Sequence, residues 1–451
     1  MIRIRTIKEA LESKELEPES ELELFSRNLD LSAVIPGVKE TIAGVKKRGD
    51  AALLEYTEKF DRVRLKDKAI EVELEEIEAA KMSVDDDTFR SIEASATAIR
   101  NFHYRQKRRG AWLEEFSPGV FLGEKYVPFD VVGAYVPKGY FSSALMCVIP
   151  AKIAKVREIV VCTPPGKDGH ADQVTLVAAD LAGATRIFKI GGAQAIAALA
   201  FGTETVPRVQ KVVGPGNIYV TAAKIALREE GIEIDFPAGP SEVLIIADET
   251  ANPEFIAADM LAQAEHGESS QAVLLTDSER IAADVEREIL ATADGKRLKA
   301  KGEGNDEDIS QLQSQYQHQH WILTGASIDE CIEFANKYAP EHLEIIVRSP
   351  LEVLKSIKNA GSVFIGNYSP VAAGDYATGA NHVLPTAGYA KLFSGLDVDH
   401  FMHRITLQWL DKEGLRQIKN VVVRSCKVEG MEAHARSVEK RFLHESQERQ
   451  Q

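Results

Sequence analysis

Apolar positions change their rhythm twice along the chain. From residue 1 to about 128 they recur at helical spacing among charged side chains, as in IPGVKETIAGVKKRGDAALLEYTEKF, which predicts mainly amphipathic helices with long acidic faces. Beyond that point short β-rich runs alternate with helical ones: VVGAYVP, SALMCVIPAKIAKV, REIVVCTPP, ADQVTLVAADLAGA, RIFKIGG, AQAIAALAFG, VQKVVGPG and NIYVTAAKIALREEG. Strand and helix at this spacing predict crossover units on a parallel sheet. A second series begins near Pro240 with SEVLIIAD, PEFIAADMLAQAEH, QAVLLTD, SERIAADVEREILATA, HWILTG, IDECIEFANKYA, HLEIIV and SVFIGN. Two series predict an α/β protein with two doubly wound, parallel-sheet lobes and a ligand cleft between them. The tail after about residue 387 reads as helical and ends in the polar HESQERQQ.

Composition narrows the class. A chain of 451 residues allows two or three domains and a large core, and 44% hydrophobic with 27% charged residues is ordinary for a soluble globular protein. The net charge of −15 argues against general nucleic-acid binding, because a phosphate backbone needs a basic face. The opening MIRIRTIKEA has no apolar signal-peptide core, and no window reaches the roughly 18 uninterrupted apolar residues of a membrane helix. Cys147, Cys162, Cys331 and Cys426 are dispersed and form no CxxC pair, so disulfides are not expected and a reducing cytoplasm is the expected location. Cys147 and Cys162, in ALMCVIP and IVVCTPP, read as buried small hydrophobes rather than nucleophiles. The Gln-rich KGEGNDEDISQLQSQYQHQH reads as a solvated helix or loop in spite of His318 and His320.

Six short segments carry residue types with chemistry. Gly191 and Gly192 in KIGGAQAIA, and Gly214, Gly216 and Asn217 in VVGPGNIYV, follow expected strands and open expected helices. Glycine lets the backbone approach a phosphate, and a helix start favours an anion. Neither turn is a G-x-G-x-x-G fingerprint, so each reads as a plain tight turn or as a cofactor contact. In MLAQAEHGESSQ, Gln263 and His266 stand three apart on one helix face, placed to offer an oxygen and an imidazole to one metal ion or to serve as a surface or capping pair. YAPEHLEI sets Glu341 beside His342 where a strand begins. A neighbouring acid and imidazole suit paired proton transfers, and an exposed strand-edge pair is the plainer reading. GDYATGANHVLPTAG gathers Asp375, Asn381 and His382 among glycines, closed by Pro385, as for a ligand loop or a tight packing corner. In VEGMEAHARS, Glu429 and His434 taken alone are solvated helix residues.

Together the segments say more. YVP, IPAKIA, GGAQAIAALAFGTETVP, VVGPGNIYV, AGPSEVLIIAD, LAQAEHG, APEHLE, GDYATGANHVLPT and EGMEAHA follow one another in the order seen in histidinol dehydrogenases. The chain resembles that family from about residue 130 to 440 and more weakly through its N-terminal part. The resemblance implies zinc held by Gln263, His266, Asp375 and His434, a mixed nitrogen and oxygen set with room for substrate. It implies Glu341 and His342 as the catalytic pair, and substrate contacts at Ser241, His382 and Glu429 in addition to His342 and the metal ligands. NAD contacts fall on Tyr135, Gln194 and Asn217. It further implies a homodimer whose tail reaches into the partner's site. The implied domains are an N-terminal helical segment (1–26), a larger discontinuous α/β domain (27–129 plus 239–386), an inserted NAD-binding α/β domain (130–238) and a C-terminal dimerisation tail (387–451). Two departures stand out: YVPKGYFSS, with Lys138, replaces a longer glycine-rich YVPGG segment, and Val371 replaces a common acid in SPVAAGDY.

The implied reaction is the four-electron oxidation of L-histidinol through L-histidinaldehyde to L-histidine, with NAD and zinc. His342 acts as base toward the hydroxyl and Glu341 activates water toward the aldehyde. A related enzyme acting on another small alcohol, such as a sulfopropanediol, shares this fold, but a sulfonate would want basic residues where this chain has Glu341 and Glu429. A zinc hydrolase using Glu341 as base would leave two α/β lobes and the glycine turns without a use.

Overall fold

The structure, a computed structural model, describes residues 3–12, 31–65, 70–108, 110–267, 269–303 and 320–442. Its strands are β1 (Arg3–Thr6), β2 (Ala111–Ser117), β3 (Val120–Pro128), β4 (Val131–Tyr135), β5 (Glu158–Cys162), β6 (Arg186–Phe188), β7 (Lys211–Val213), β8 (Glu233–Ile234), β9 (Glu242–Ala247), β10 (Gln271–Thr276), β11 (His320–Thr324), β12 (His342–Ile346), β13 (Ser362–Ile365) and β14 (Met402–Leu410). They divide between two compact units. The first comprises Met1–Gln106 with Phe129–Phe401, the second Lys107–Pro128 with Met402–Gln451.

The first unit holds both expected parallel sheets, one of six strands in the order β1-β11-β10-β9-β12-β13 and one of five in the order β6-β5-β4-β7-β8. Runs such as LIIA, AVLL and IVVC are apolar at every position because each strand is covered on both faces. Alternate residues of β9 show this directly. Val243 and Ile245 pack with Ile256 and Met260 of the helix Pro253–Ala264, whereas Leu244 and Ile246 pack with Phe334 and Tyr338 of the helix Ile328–Tyr338. In the smaller sheet the helices Ile35–Arg48, Gly192–Phe201 and Ile218–Leu227 close one core around Tyr135, Val160 and Val212. In each sheet the chain reverses its direction of growth next to the first strand of the α/β series, at β4/β7 and at β9/β12. Such switch points open a crevice.

The second unit is an antiparallel sheet, β14-β3-β2, with the helices Lys412–Val428 and Glu432–Glu439. Here the helical expectation is corrected. MHRITLQWL is a nine-residue strand in a tail expected to be all helix, and it pairs with β3 from a region also expected to be helical. The N-terminal segment opens on a strand too, because β1 pairs in parallel with β11 through Arg3↔Trp321 to Thr6↔Thr324. Most of β2 and β14 is exposed, so the period-two burial that announces a strand is missing. The Gln-rich stretch through His318 lies outside the described residues. His320 starts β11 and is buried. Among the described residues no helix is long and apolar enough to cross a membrane.

Candidate active site

Glu341 and His342 sit at the amino end of β12, beside the amino end of β9, with His342 in register with Val243. The helix Ile328–Tyr338 ends at Ala339 in the left-handed conformation (φ 56), and Pro340 turns the chain into the strand. Gly361 permits the sharp turn, because a Cβ there would lie 2.6 Å from the Glu341 carbonyl oxygen. Both side chains are buried, at 6% and 4% exposure.

One residue that the sequence did not single out organises both. Glu242 donates its backbone N–H to Glu341 Oε2 at 2.9 Å, and Ser241 Oγ donates to the same oxygen at 2.8 Å. The Glu242 carboxylate accepts the backbone N–H groups of Glu341 and Ala387 through Oε1, each at 3.2 Å. Its carbonyl lies 3.1 Å from His342 Nδ1. A carbonyl can only accept, so Nδ1 carries the proton and Nε2 is the basic nitrogen. Nε2 is buried and has no hydrogen-bond partner among the described residues. Burial pushes the Glu341 carboxyl well above its usual range against its two donors, and the charges of Glu242 and Asp375 add to the rise. Burial lowers His342, with Asp375 and Glu242 pulling the other way, so its imidazole is neutral and able to accept a proton.

The loop carrying His382 is held by a defect in a helix. Pro150 lies inside the helix Phe141–Ala154 and has no N–H to give the Met146 carbonyl. Asn381 Nδ2 donates to that carbonyl at 2.8 Å and lies 3.3 Å from Nε2 of the fully buried His103, while Asn381 Oδ1 accepts the Val383 N–H. His382 is thereby set with Nδ1 3.2 Å from the Asp375 carbonyl oxygen and Nε2 3.4 Å from Ser143 Oγ. A cavity of about 100 Å³ joins Ser241, Glu341 and His382 to Gly214, Pro215 and Gly216 of the second glycine turn.

Gln263 is in the last turn of its helix, 3% exposed, with Nε2 lacking any partner. His266 lies two residues beyond the helix and is exposed. Asp375 in the short helix Val371–Tyr376 acts electrostatically on Glu341, His342 and His382, and His266 acts on His382. Among the described residues no group of three or more His, Cys, Asp and Glu is placed to hold a metal ion. This unit does offer the Gln263 amide oxygen, a carboxylate and an imidazole, ligands of the kind zinc accepts; the orphaned Gln263 Nε2 is a hydrogen-bond donor and not one of them. His434 and Glu429 lie on the second unit, both exposed. Nothing in the structure explains the Val371 departure; its backbone N–H donates to the buried Glu344 carboxylate of β12 at 3.1 Å, as that of any residue but proline would. Burial and the neighbouring Asp259 push Glu344 well above its usual range, tying the strand of His342 to the helices of Gln263 and Asp375.

The residues matched to NAD surround the carboxyl ends of β4, β6 and β7. Tyr135 ends β4, and its hydroxyl accepts the Gly192 N–H at 3.2 Å; burial pushes it up to about 12. Gln194 is buried with Nε2 unpartnered. Gly214, at φ 110, presses on the Tyr135 carbonyl where any side chain would clash. The buried Lys224–Asp235 ion pair fixes that turn, Lys224 donating to the Gly214 carbonyl and Asp235 accepting the Gly214 N–H. Asn217 caps the next helix, its Oδ1 accepting from the N–H groups of Tyr219 and Val220. The turn glycines thus serve the protein's own packing, and the orphaned amide of Gln194 is the feature that asks for a ligand. Cys147 and Cys162 are buried with raised thiols, as expected of inert core residues.

A family model described as histidinol dehydrogenase matches residues 25–442. The histidinol dehydrogenase of Methanosarcina mazei is 48% identical over 435 residues, covering 95% of this chain and 97% of its own. That of Methanocaldococcus jannaschii is 46% identical over 433 residues, covering 95% and 97%. The crystal structure of histidinol dehydrogenase from Elizabethkingia anophelis superposes with a TM-score of 0.85 at 39% identity, covering 98% of this chain and 97% of that one.

Proposed function

This chain belongs to the histidinol dehydrogenase family of oxidoreductases, and on that premise we propose that it oxidises L-histidinol through L-histidinaldehyde to L-histidine with NAD and zinc. The observation that carries the reading is the state of His342: neutral, buried, with its proton committed to the Glu242 carbonyl and Nε2 left without a partner among the described residues. NAD, when bound, accepts a hydride in each half-reaction, and zinc fixes the amino alcohol. Gln263, His266 and Asp375 are the ligands this unit would supply, with His434 as the fourth.

His342 Nε2 takes the hydroxyl proton as the carbinol carbon is oxidised. Glu341, held through Oε2 by Ser241 and Glu242, takes a proton from water as the water adds to the aldehyde carbon. Its raised carboxyl makes it a stronger base than an exposed glutamate once ionised. Glu341, Glu242 and Asp375 make the site acidic, which suits a cationic amino alcohol and disfavours a sulfonated one.

A homodimer with tail exchange fits the second unit, where Trp409, Val421, Val428 and Met431 expose apolar surface and Glu429 and His434 face solvent. A cytoplasmic location fits a biosynthetic enzyme with free cysteines. Steady-state NADH formation from L-histidinol and NAD tests the reading. Activity should be lost on chelation, return with zinc, and be absent with dihydroxypropanesulfonate. Failure to form NADH from L-histidinol with zinc present would overturn it.

A further inference from the structure

Beside the cofactor residues one carboxylate has no assigned role. Asp61 ends the π-helical turn Thr57–Asp61, is half-buried, and makes no hydrogen bond among the described residues; its Oδ2 is closed off from solvent without a partner. It stands against the start of the helix Gly192–Phe201, where a Cβ on Gly191 would lie 3.4 Å from Asp61 Oδ1. It acts electrostatically on Tyr135, while Lys138, the departure noted in the sequence, acts on Asp61 without closing an ion pair. An acid at a helix start usually caps it. Asp61 does not, since the Gly192 N–H goes to the Tyr135 hydroxyl. Burial raises its carboxyl and the Lys138 charge offsets that only in part, so the arrangement costs stability that no hydrogen bond among the described residues repays. The neighbouring Gln194, buried with Nε2 unpartnered, is a second group awaiting a ligand at the same turn.

A dinucleotide presents a pyrophosphate, which a carboxylate repels, and ribose diols, whose hydroxyls it accepts. The nicotinamide end belongs beside Glu341 and His382, in the cavity lined by Gly214–Gly216 after β7. Asp61 lies at the turn after β6, and in the sheet order β6-β5-β4-β7 three strand spacings, about 14 Å, separate the two ends. That span places the adenosine ribose, not the nicotinamide ribose, at Asp61. Resting on the cofactor reading above, we propose that Asp61 accepts the adenosine 2′-hydroxyl and so selects NAD against NADP. A 2′-phosphate would bring about two negative charges onto this carboxylate.

Calorimetric titration of the zinc-loaded enzyme with NAD, NADP, ADP-ribose and 2′-phospho-ADP-ribose, without substrate, tests this. Wild type should prefer NAD and ADP-ribose by at least about tenfold over the phosphorylated forms, and Asp61→Asn should shrink that ratio about tenfold. Asp61→Glu should keep most of the preference. A test needing no variant uses NAD lacking the adenosine 2′-hydroxyl, which should bind wild type several-fold more weakly. An unchanged NAD/NADP ratio in Asp61→Asn, or equal binding of the 2′-deoxy cofactor, overturns the role of Asp61 and leaves the cofactor reading intact. Absence of any dinucleotide binding to wild type overturns both.

Discussion

Two of the chain's glutamate–histidine pairs stand in opposite states. Glu341 and His342, at the head of β12, are buried and held by Ser241 and by the backbone and carboxylate of Glu242. Glu429 and His434, around the last helices of the second unit, are exposed, and neither side chain has a hydrogen bond among the described residues. The first pair is organised by one chain alone: its tautomer and carboxyl orientation are set before substrate arrives, which is what proton transfer needs. The second has nothing local to order it. Residues that act only in an assembly have no reason to be arranged within the monomer, and the exposed apolar face around them fits a second copy of this chain.

That contrast predicts a graded series of losses. His342→Ala removes the base and should lower kcat about 10²- to 10⁴-fold, measured by steady-state NADH formation. Because burial holds His342 below 6.5, kcat/KM for the alcohol half-reaction, which does not use Glu341 as base, should stay flat until the pH drops below about 6.5; a limb rising through the alkaline range would place the base elsewhere. Glu341→Gln should impair aldehyde oxidation more than alcohol oxidation when each half-reaction is started separately, and equal loss in both would contradict the division of labour. Glu242→Gln should have the smallest effect. It keeps every backbone contact and one amide oxygen, so it should cost about 1–2 kcal/mol in unfolding free energy and about tenfold in kcat. An unaltered kcat would show that the Glu242 backbone alone positions the pair.

The α/β alternation was legible because strands buried on both faces leave unbroken apolar runs, and each run quoted from VVGAYVP to SVFIGN coincides with its element. The position of Glu341 and His342 at a strand start was legible from the proline before them. Glu242 was hidden, because it works through its carbonyl and N–H across the β9–β12 register, and backbone groups leave no mark in composition. The tie between Pro150 and Asn381 left a faint signal: a proline inside an apolar helical run frees a carbonyl that some donor must fill. The sheet of β2, β3 and β14 was missed because β2 and β14 are largely exposed in one chain.

The two-pair account is tested most directly by mixing two inactive variants, His342→Ala and His434→Ala. If the tail serves the neighbouring subunit, each mixed dimer holds one site with both lesions and one intact site, and random exchange should restore about a quarter of wild-type activity. Isolated mixed dimers that stay inactive would contradict the account and return His434 to its own subunit's site or to the solvent.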